Sequence, residues 1–284
     1  MKVEELQDMA NKVREMVIKM LLNAGSGHSA GPLGSADFFT SLYFGDVIKY
    51  KVDDPWWEDR DRVVLSAGHY CPVLYATLAE VGFFPKEELD TLRKIDSRLQ
   101  GHPQIKSLPG IENTSGPLGQ GVSVAVGMAL TAKLDKKDWQ VICFMGDGEQ
   151  NEGQVWEAYM SAAKFGLGNL TLVVDRNNIQ IDGQTEEVMP LEPFKAKLLA
   201  FGMEVFDIDG HNIKEIIETL KMARAVGKPS VVILNTTPGK GVEFMENLSE
   251  WHGKLPVQPG EAVEALKNIH DIRTLGGKII SEHE

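Results

Sequence analysis

The sequence predicts an α/β fold, a doubly wound parallel sheet flanked by helices. Three observations predict it. Short apolar runs such as WQVICFMGDG, NLTLVVDRNN and PSVVILNTTPG alternate with helical patterns through the second half of the chain. These runs are apolar throughout, which is typical of parallel strands covered on both faces. Each run ends in glycine or polar residues, at the sheet edge where such folds bind ligands.

The first half is predicted to be mainly helical. Apolar residues recur at steps of three and four from Leu6 to Leu21, which indicates an amphipathic helix ended by Gly25. A glycine-rich loop follows, and VVLSAGH (63–69) reads as the first buried strand. Further helices are predicted near 35–44, 71–82 and 85–95, and the stretch 115–134 is read as a glycine-rich turn that opens a helix of small residues.

The second half repeats a strand-and-helix pattern. The strands are expected in the three runs quoted above and in MEVFDIDG (203–210). The helices are expected at 153–166, 191–201, 212–226 and 259–282. We predict one domain over 1–284, with an N-terminal helix and loop at 1–30 and a C-terminal helical extension at 256–284.

Composition excludes several functional classes. The chain has 284 residues, of which 43% are hydrophobic, and a formal net charge of −12. That charge argues against nucleic acid or an anionic membrane as a partner. No apolar run approaches the ~20 residues that a membrane span needs. Two cysteines cannot form a disulfide framework, so we expect a cytoplasmic protein.

The most specific chemical signal is a pair of polar strand ends. Asp147 in GDG and Asn177 in NN lie 30 residues apart, which is the length of one crossover between parallel strands. Their oxygens would then reach one cation, and carboxylate and amide oxygens suit Mg²⁺ or Ca²⁺. A helix after Gly153 offers its N-terminus to phosphate. The alternative is that both are ordinary turn residues.

Histidines in glycine- or proline-marked loops give a second signal. They are His28, His69, His102 and His252. Such residues can face one cavity and exchange protons near neutrality, although solvated loop histidines are the alternative. We interpret His211, in DGHN, as a helix-capping element, and His270 and His283 as surface residues.

Taken in order, these motifs resemble the diphosphate-binding half of transketolase, a thiamine diphosphate enzyme. SGHSAGPLG, SAGHY and LQGHP resemble the family's three histidine loops, and TSGPLGQG resembles its aminopyrimidine-contacting segment. GDGEQNEG followed by VVDRNN is similar to its cofactor and metal motif. The resemblance covers nearly the whole chain and implies a thiamine diphosphate-binding domain of the PP type.

The resemblance also implies roles for residues. Asp147, Asn177 and the backbone carbonyl of Ile179 would hold Mg²⁺, for which Ca²⁺ can substitute. The implied cofactor contacts are those of Gly148, His69, His252 and Asn177 near the diphosphate, and of Gly116 and Leu118 near the aminopyrimidine. The implied catalytic residues are His28 and His102, which would face the sugar, and His69.

Glu152 and Glu157 resemble family positions at a contact between protomers, within an acidic network that links two cofactors. Their alternative is an ordinary role as acids in the first turn of a helix. Ser29, Ala30 and Ala67 depart from the residues expected in the histidine loops, which loosens the assignment of the sugar contacts.

The chain ends where the family's pyrimidine-binding domain would begin. We therefore expect the N-terminal subunit of a split transketolase, assembled as α₂β₂ and inactive without a separate C-terminal subunit. The implied reaction moves a two-carbon ketol unit from a ketose phosphate to an aldose phosphate, as in the pentose phosphate pathway.

Three alternatives stay open at this point. The α chain of a 2-oxo acid dehydrogenase has a similar GDG…NN motif and also works as a heterotetramer, but lacks the histidine loops. Half of a 1-deoxyxylulose-phosphate synthase is the second. A non-catalytic regulatory subunit that binds thiamine diphosphate is the third.

Overall fold

The computed structural model describes residues 1–274 and contains a five-stranded parallel sheet. The strand order is β1-β2-β3-β7-β6, and every neighbouring pair is parallel. A separate antiparallel hairpin joins β4 to β5. The strands are β1 (Arg62–Leu65), β2 (Val141–Gly146), β3 (Leu170–Arg176), β4 (Ile179–Gln180), β5 (Gly183–Gln184), β6 (Glu204–Asp209) and β7 (Ser230–Asn235).

Helices connect the strands and cover both faces of the sheet, so the α/β prediction is confirmed. The first helices are α1 (Val3–Ala24), α2 (Ala30–Gly34), α3 (Ala36–Phe44), α4 (Cys71–Val81) and α5 (Gln120–Leu134). The later ones are α6 (Gly153–Phe165), α7 (Thr185–Val188), α8 (Phe194–Ala200), α9 (Ile213–Ala225) and α10 (Pro259–Thr274).

Side chains from each central strand alternate between two hydrophobic cores. Phe144 and Val173 pack in the core that includes α1, α3, α4 and α9. Cys143 and Leu172 pack in the core formed with α5, α6 and α8. Strands buried on both faces need apolar residues at every position, which explains the continuous apolar runs.

Two predicted helices differ in the structure. The segment expected at 85–95 forms only a short 3₁₀ turn, Lys86–Thr91, because Arg93 and Asp96 adopt positive φ angles of 60° and 64° that end any helix. The helix expected from 191 begins at Phe194, since proline at 193 disfavours a helical residue before it. The β4–β5 hairpin and α7 were not predicted.

The two sheet edges are closed in different ways. On β1, the Asn113 side chain accepts a hydrogen bond from the Leu65 amide (3.1 Å) and donates one to the Leu65 carbonyl (3.0 Å). On β6, Glu204, Asp207 and Asp209 place carboxylates along the edge strand. Polar or charged groups at a sheet edge oppose pairing with another strand.

The first and last described helices pack against each other. α10 contacts α1, with Ala265 and Ile269 fully buried.

Among residues 1–274, no helix combines the length and apolar character needed to cross a membrane. The single-domain assignment of 1–284 stays a prediction. His283 and the end of the proposed extension lie outside the described residues.

Candidate active site

The register of β2 and β3 brings the predicted metal ligands to one sheet edge. Gly146 pairs with Asp175, and the Asp147 amide donates to the Asp175 carbonyl at 3.1 Å. Asp147 and Asn177 therefore follow adjacent strand ends, as their spacing predicts.

The Asp147 carboxylate is buried and lies against the turn that follows β3. Its Oδ1 accepts a hydrogen bond from the Gly148 amide at 2.7 Å. Its Oδ2 accepts from the Asn178 amide (2.8 Å), Arg176 Nη1 (3.0 Å) and the Thr185 hydroxyl (3.2 Å). Burial raises the pKa of Asp147, while Arg176 and the backbone amides oppose this rise.

The Asn177 side chain is held in one orientation by buried polar neighbours. Its Nδ2 donates to the Tyr70 hydroxyl (2.9 Å) and to Asp175 Oδ2 (2.8 Å). Its Oδ1 accepts from the Ile179 amide at 3.0 Å. Because the amide nitrogen is occupied by these partners, the amide oxygen faces the 177–179 turn.

Asp175 anchors this arrangement. It accepts hydrogen bonds from the Tyr70 hydroxyl at 2.6 Å and from the Thr236 hydroxyl at the end of β7. Burial, assisted by the nearby Asp147 carboxylate, raises the pKa of Asp175 to about 6. No sequence pattern pointed to Tyr70, because its contact with Asp175 spans 105 positions of the chain.

The oxygen set at this turn fits a hard divalent cation. Asp147 Oδ2 accepts a hydrogen bond from the Asn178 amide, and Asn177 Oδ1 accepts one from the Ile179 amide. Both oxygens therefore border the same turn, residues 177–179. Carboxylate, amide and carbonyl oxygens are the donors that Mg²⁺ and Ca²⁺ take in proteins. Within residues 1–274, no group of three histidine, cysteine or acidic side chains is arranged as a metal site.

Three of the predicted histidines form a compact cluster. The ring centroids of His28 and His69 are 5.0 Å apart, those of His69 and His252 5.3 Å, and those of His28 and His252 5.6 Å. His69 also stacks against Tyr70 at 4.7 Å, which connects the cluster to the Asn177 network. The sequence prediction that these loops share one site is consistent with this geometry.

Ser29 fixes two of the histidine loops to one another. Its hydroxyl contacts the Lys254 carbonyl at 2.7 Å and the Trp251 carbonyl at 3.2 Å. The serine that departs from the family pattern thus ties the His28 loop to the His252 loop.

Burial, assisted at His28 and His69 by neighbouring histidines, lowers the pKa values of the clustered imidazoles. Burial, followed by the electrostatic effects of His252, Arg93 and His102, lowers the pKa of His28 to about 4. Burial and the neighbouring histidines place the pKa of His69 well below its usual value. Burial also lowers the pKa of His252. These imidazoles are therefore neutral near pH 7.

A cavity of about 500 Å³ opens beside His28, with Arg93, Lys254 and Gln258 also in its wall. It is large enough for a small ligand. Its wall carries two cationic side chains, Arg93 and Lys254, and one acidic side chain, Glu261.

His102 and the 115–116 segment border the loop after β1. A Cβ atom on Gly68 would lie 2.7 Å from Ser115 Oγ, 3.0 Å from the Gly116 nitrogen and 3.0 Å from His102 Cδ2. Only glycine at 68 allows this close approach. Within residues 1–274, the buried atoms that lack a hydrogen-bond partner include Ser115 Oγ and His252 Nδ1.

Glu149 joins three segments around the predicted cofactor loops. Its carboxylate accepts hydrogen bonds from the Ser66 hydroxyl, the Gly119 amide (2.7 Å) and the Gly146 amide (3.1 Å). The neighbouring Leu118 carbonyl accepts from Gln154 Nε2 at 3.1 Å. Sequence reasoning missed Glu149, since an acid after GDG has no distinctive spacing.

Gly148 approaches the β4–β5 hairpin, where an added Cβ would lie 3.0 Å from the Gln180 side chain.

Glu152, just before α6, and Glu157, within it, are exposed and lie outside the buried network. Exposed apolar side chains accompany them on α5 and α6, including Val124 (43% exposed) and Met160 (59% exposed).

The capping prediction for His211 is wrong. The cap of α9 is Asn212, whose side chain accepts from the Glu215 amide. His211 instead bridges two segments, with Nδ1 2.8 Å from Asp37 Oδ2 and Nε2 accepting from the Thr237 amide at 2.8 Å. Asp37 is far from His211 in sequence, so local pattern could not reveal the contact. His270 is exposed, as predicted.

Comparison with known families agrees with this geometry. Residues 5–272 match the family described as "Transketolase, thiamine diphosphate binding domain". The chain belongs to this transketolase family. Thiamine diphosphate is accordingly the cofactor of the domain type to which these strand ends and histidine loops belong.

Curated relatives extend along most of the chain. A subunit of the apulose-4-phosphate transketolase of Phocaeicola vulgatus is 42% identical over 272 residues, covering 95% of this chain and 96% of the relative. The 6-deoxy-6-sulfo-D-fructose transketolase subunit SqwG of a Clostridium species is 45% identical over 243 residues, covering 85% and 88%. These relatives favour transketolase over the dehydrogenase and synthase alternatives.

Solved structures show the same fold in longer chains. Transketolase from Campylobacter jejuni superposes with a TM-score of 0.89 at 35% identity, covering 95% of this chain and 43% of that one. The Leishmania mexicana transketolase gives a TM-score of 0.84 at 29% identity, covering 98% and 44%. The chain thus spans less than half the length of these transketolase structures.

Proposed function

We propose that the chain is the N-terminal subunit of a two-chain, thiamine diphosphate-dependent transketolase. It would move a two-carbon ketol unit from a ketose phosphate to an aldose phosphate and would require a separate C-terminal subunit for activity. The observation that carries this proposal is the joint placement of Asp147 and the oriented Asn177 amide at one turn, beside the three-histidine cluster.

The cation site would consist of Asp147, Asn177 and the backbone carbonyl of Ile179. Mg²⁺ is the proposed ion, with Ca²⁺ as a substitute, because all three donors are hard oxygens. Gly148, at the start of the turn after β2, has no side chain of its own, so a diphosphate could approach its backbone.

Two of the buried atoms that lack a hydrogen-bond partner within residues 1–274 support the proposed cofactor contacts. His252 Nδ1 is available to a diphosphate oxygen, with His69 beside it. Ser115 Oγ lies next to Gly116, which with Leu118 would contact the aminopyrimidine ring. Buried polar atoms in folded proteins normally have hydrogen-bond partners, so two such atoms at one site fit a polar ligand.

Thiamine diphosphate, when bound, supplies the carbanion stabilisation needed to break and form a carbon–carbon bond. The chain's own residues would position the sugar and move protons. His28 and His102 face the sugar in this proposal, and His69 contributes from the cluster. Neutral imidazoles can donate and accept hydrogen bonds with hydroxyl groups, which suits proton exchange at the sugar.

The partner subunit would dock beside α5 and α6. Relatives of nearly the same length are named as subunits of transketolases, which supports a separate partner and, we propose, an α₂β₂ assembly. Glu152 and Glu157 lie exposed on this side among apolar side chains, as a contact between protomers would need. We propose a cytoplasmic location, which the free cysteines Cys71 and Cys143 fit, and a role in the pentose phosphate pathway.

Calorimetric titration with thiamine diphosphate tests the cation site. We expect binding with Mg²⁺, little binding with EDTA, and loss of binding in Asp147→Ala. Asp135→Ala is the matched control, since Asp135 is an exposed acid at the end of α5. Equal binding by the Asp147 variant and the wild type would contradict the metal assignment.

Reconstitution tests the reaction. The chain, mixed with the C-terminal subunit of a two-chain transketolase, is assayed with xylulose 5-phosphate and an aldose phosphate acceptor, or with pyruvate. We expect ketol transfer from the sugar phosphate only, and only when both chains are present. Turnover of pyruvate instead would support the dehydrogenase alternative.

A further inference from the structure

Arg176 is the last residue of β3 and precedes Asn177. Its side chain is only 6% exposed, yet it contacts three carboxylates. Nη1 donates to Asp147 Oδ2 at 3.0 Å, and Nη2 donates to Glu186 Oε1 (2.5 Å) and Glu192 Oε1 (3.2 Å).

The two glutamates extend this contact along the segment after the proposed cation turn. Glu186 Oε1 also accepts from the Leu191 amide at 3.0 Å. Glu192 Oε2 accepts from the Phe194 amide at 2.8 Å. One guanidinium therefore joins the end of β2 to the stretch between β5 and α8.

Of the three ion pairs, the one with Asp147 is the most buried. The side chain of Asp147 is 2% exposed, whereas those of Glu186 and Glu192 are 38% and 58% exposed. Losing one partner of a buried pair is costly because a buried charge is left uncompensated, while exposed pairs contribute little. The contact with Asp147 is therefore the one whose loss should disturb this segment most.

We propose that Arg176 is a positioning residue for the cation site. Its guanidinium holds the Asp147 carboxylate and the 177–192 segment in the arrangement that the cation and diphosphate require, before either binds. The inference rests on the proposed function, because it takes Asp147 as a cation ligand.

The test compares thermal unfolding of the full chain and of Arg176→Met, each with EDTA and with Mg²⁺ plus thiamine diphosphate. Without ligands, the variant should unfold roughly 6–15 °C below the wild type, the shift expected for breaking a buried ion pair. With ligands, this gap should widen, because the variant must order the 177–192 segment on binding and therefore binds Mg²⁺ and thiamine diphosphate more weakly than the wild type.

Arg224→Met is the matched control. Arg224 Nη1 pairs with the buried Asp61 at 2.9 Å, at the opposite end of the strands. The drop in unfolding temperature that Arg224→Met causes should be the same with and without Mg²⁺ and thiamine diphosphate. Hydrogen exchange gives a second readout, in which Arg176→Met should exchange faster at 177–192 without ligands and recover with them.

The outcomes separate the inference from the proposed function. A gap that stays the same or narrows on adding ligands would show that Arg176 does not prearrange the site, and would overturn the inference alone. A wild-type chain that Mg²⁺ and thiamine diphosphate do not stabilise would contradict the cation site, and the inference with it. If Arg176→Met does not fold, the double variant Asp147→Asn/Arg176→Met should fold, because the uncompensated charge is gone. Failure of both variants to fold would also overturn the inference.

Discussion

Tyr70 offers a sharp test of how the Asn177 amide is held. Its hydroxyl is buried, donates to Asp175 Oδ2 at 2.6 Å and accepts from Asn177 Nδ2 at 2.9 Å. Tyr70→Phe removes this oxygen and keeps the ring, which packs against Phe144 and His69. Both of its polar partners then lose a hydrogen bond inside the protein.

The magnitude follows from the two lost hydrogen bonds. A hydrogen bond to a charged group contributes about 1.5–3 kcal/mol, and a neutral one about 0.5–1.5 kcal/mol. Asn177 keeps its contact with Asp175, so its loss is partial. We expect the free energy of unfolding to fall by roughly 2–4 kcal/mol near pH 8, where Asp175 is ionised because its pKa is about 6.

Urea unfolding measures this cost, and calorimetric titration with Mg²⁺ and thiamine diphosphate measures its effect on the site. A less restrained Asn177 should weaken cofactor binding about tenfold or more, which corresponds to ~1.4 kcal/mol. Tyr75→Phe is the control, since its hydroxyl donates to the Gln100 carbonyl at 2.9 Å outside the Asn177 network. Tyr75→Phe should lower the free energy of unfolding by about 1 kcal/mol and leave cofactor affinity unchanged.

A Tyr70→Phe chain that binds the cofactor as tightly as the wild type would refute this role of the hydroxyl. A cost in stability no larger than that of Tyr75→Phe would refute the claim that the hydroxyl serves a charged acceptor. Unchanged cofactor affinity would mean that Asp175 and the Ile179 amide are enough to orient Asn177.

Three further predictions concern protonation, packing and assembly. Because the pKa of His28 is lowered from 6.5 to about 4, the folded chain binds fewer protons than the unfolded chain in that window. The unfolding free energy should therefore decline as pH falls from 6.5 toward 4, and urea titrations should show a shallower decline for His28→Asn; an identical slope would argue against the shift. Gly121→Ala should cost about 1–3 kcal/mol, because its Cβ would lie 2.6 Å from the Ser66 Cα atom. Gly127→Ala in the same helix, where nothing lies within 4 Å, should gain up to ~1 kcal/mol, and equal effects of the two changes would contradict the packing. Met160→Lys, at a side chain that is 59% exposed, should leave unfolding of the chain unchanged within ~0.5 kcal/mol but prevent co-elution with the C-terminal subunit. Normal co-elution would move the partner contact elsewhere.

Strand positions could be predicted from the sequence because burial on both faces leaves a continuous apolar signature. The same logic placed Asp147 and Asn177 at neighbouring strand ends, since one crossover separates them and parallel neighbours end at the same edge. The histidine loops were found through their glycines. In the structure, the ring centroids of His28, His69 and His252 lie 5.0–5.6 Å apart.

The residues that hold these groups could not be predicted. Tyr70, Glu149 and Arg176 act through partners that are distant in sequence or that have no characteristic spacing. The failed helix at 85–95 has a local cause, because apolar periodicity does not report the left-handed backbone at Arg93 and Asp96. Propensity describes one segment, whereas these features depend on what the rest of the chain brings against it.

The Asn113 amide on β1 has a consequence for how this protein can associate. An asparagine side chain carries the same donor and acceptor as a peptide group, so it occupies the Leu65 N–H and C=O as a neighbouring strand would. Acidic residues lie along β6, the other edge strand. Both edges of the sheet therefore oppose pairing with a strand from another chain. Main-chain pairing with a second polypeptide is therefore disfavoured at Leu65 and along β6, which favours recognition through side chains on the helical surfaces instead.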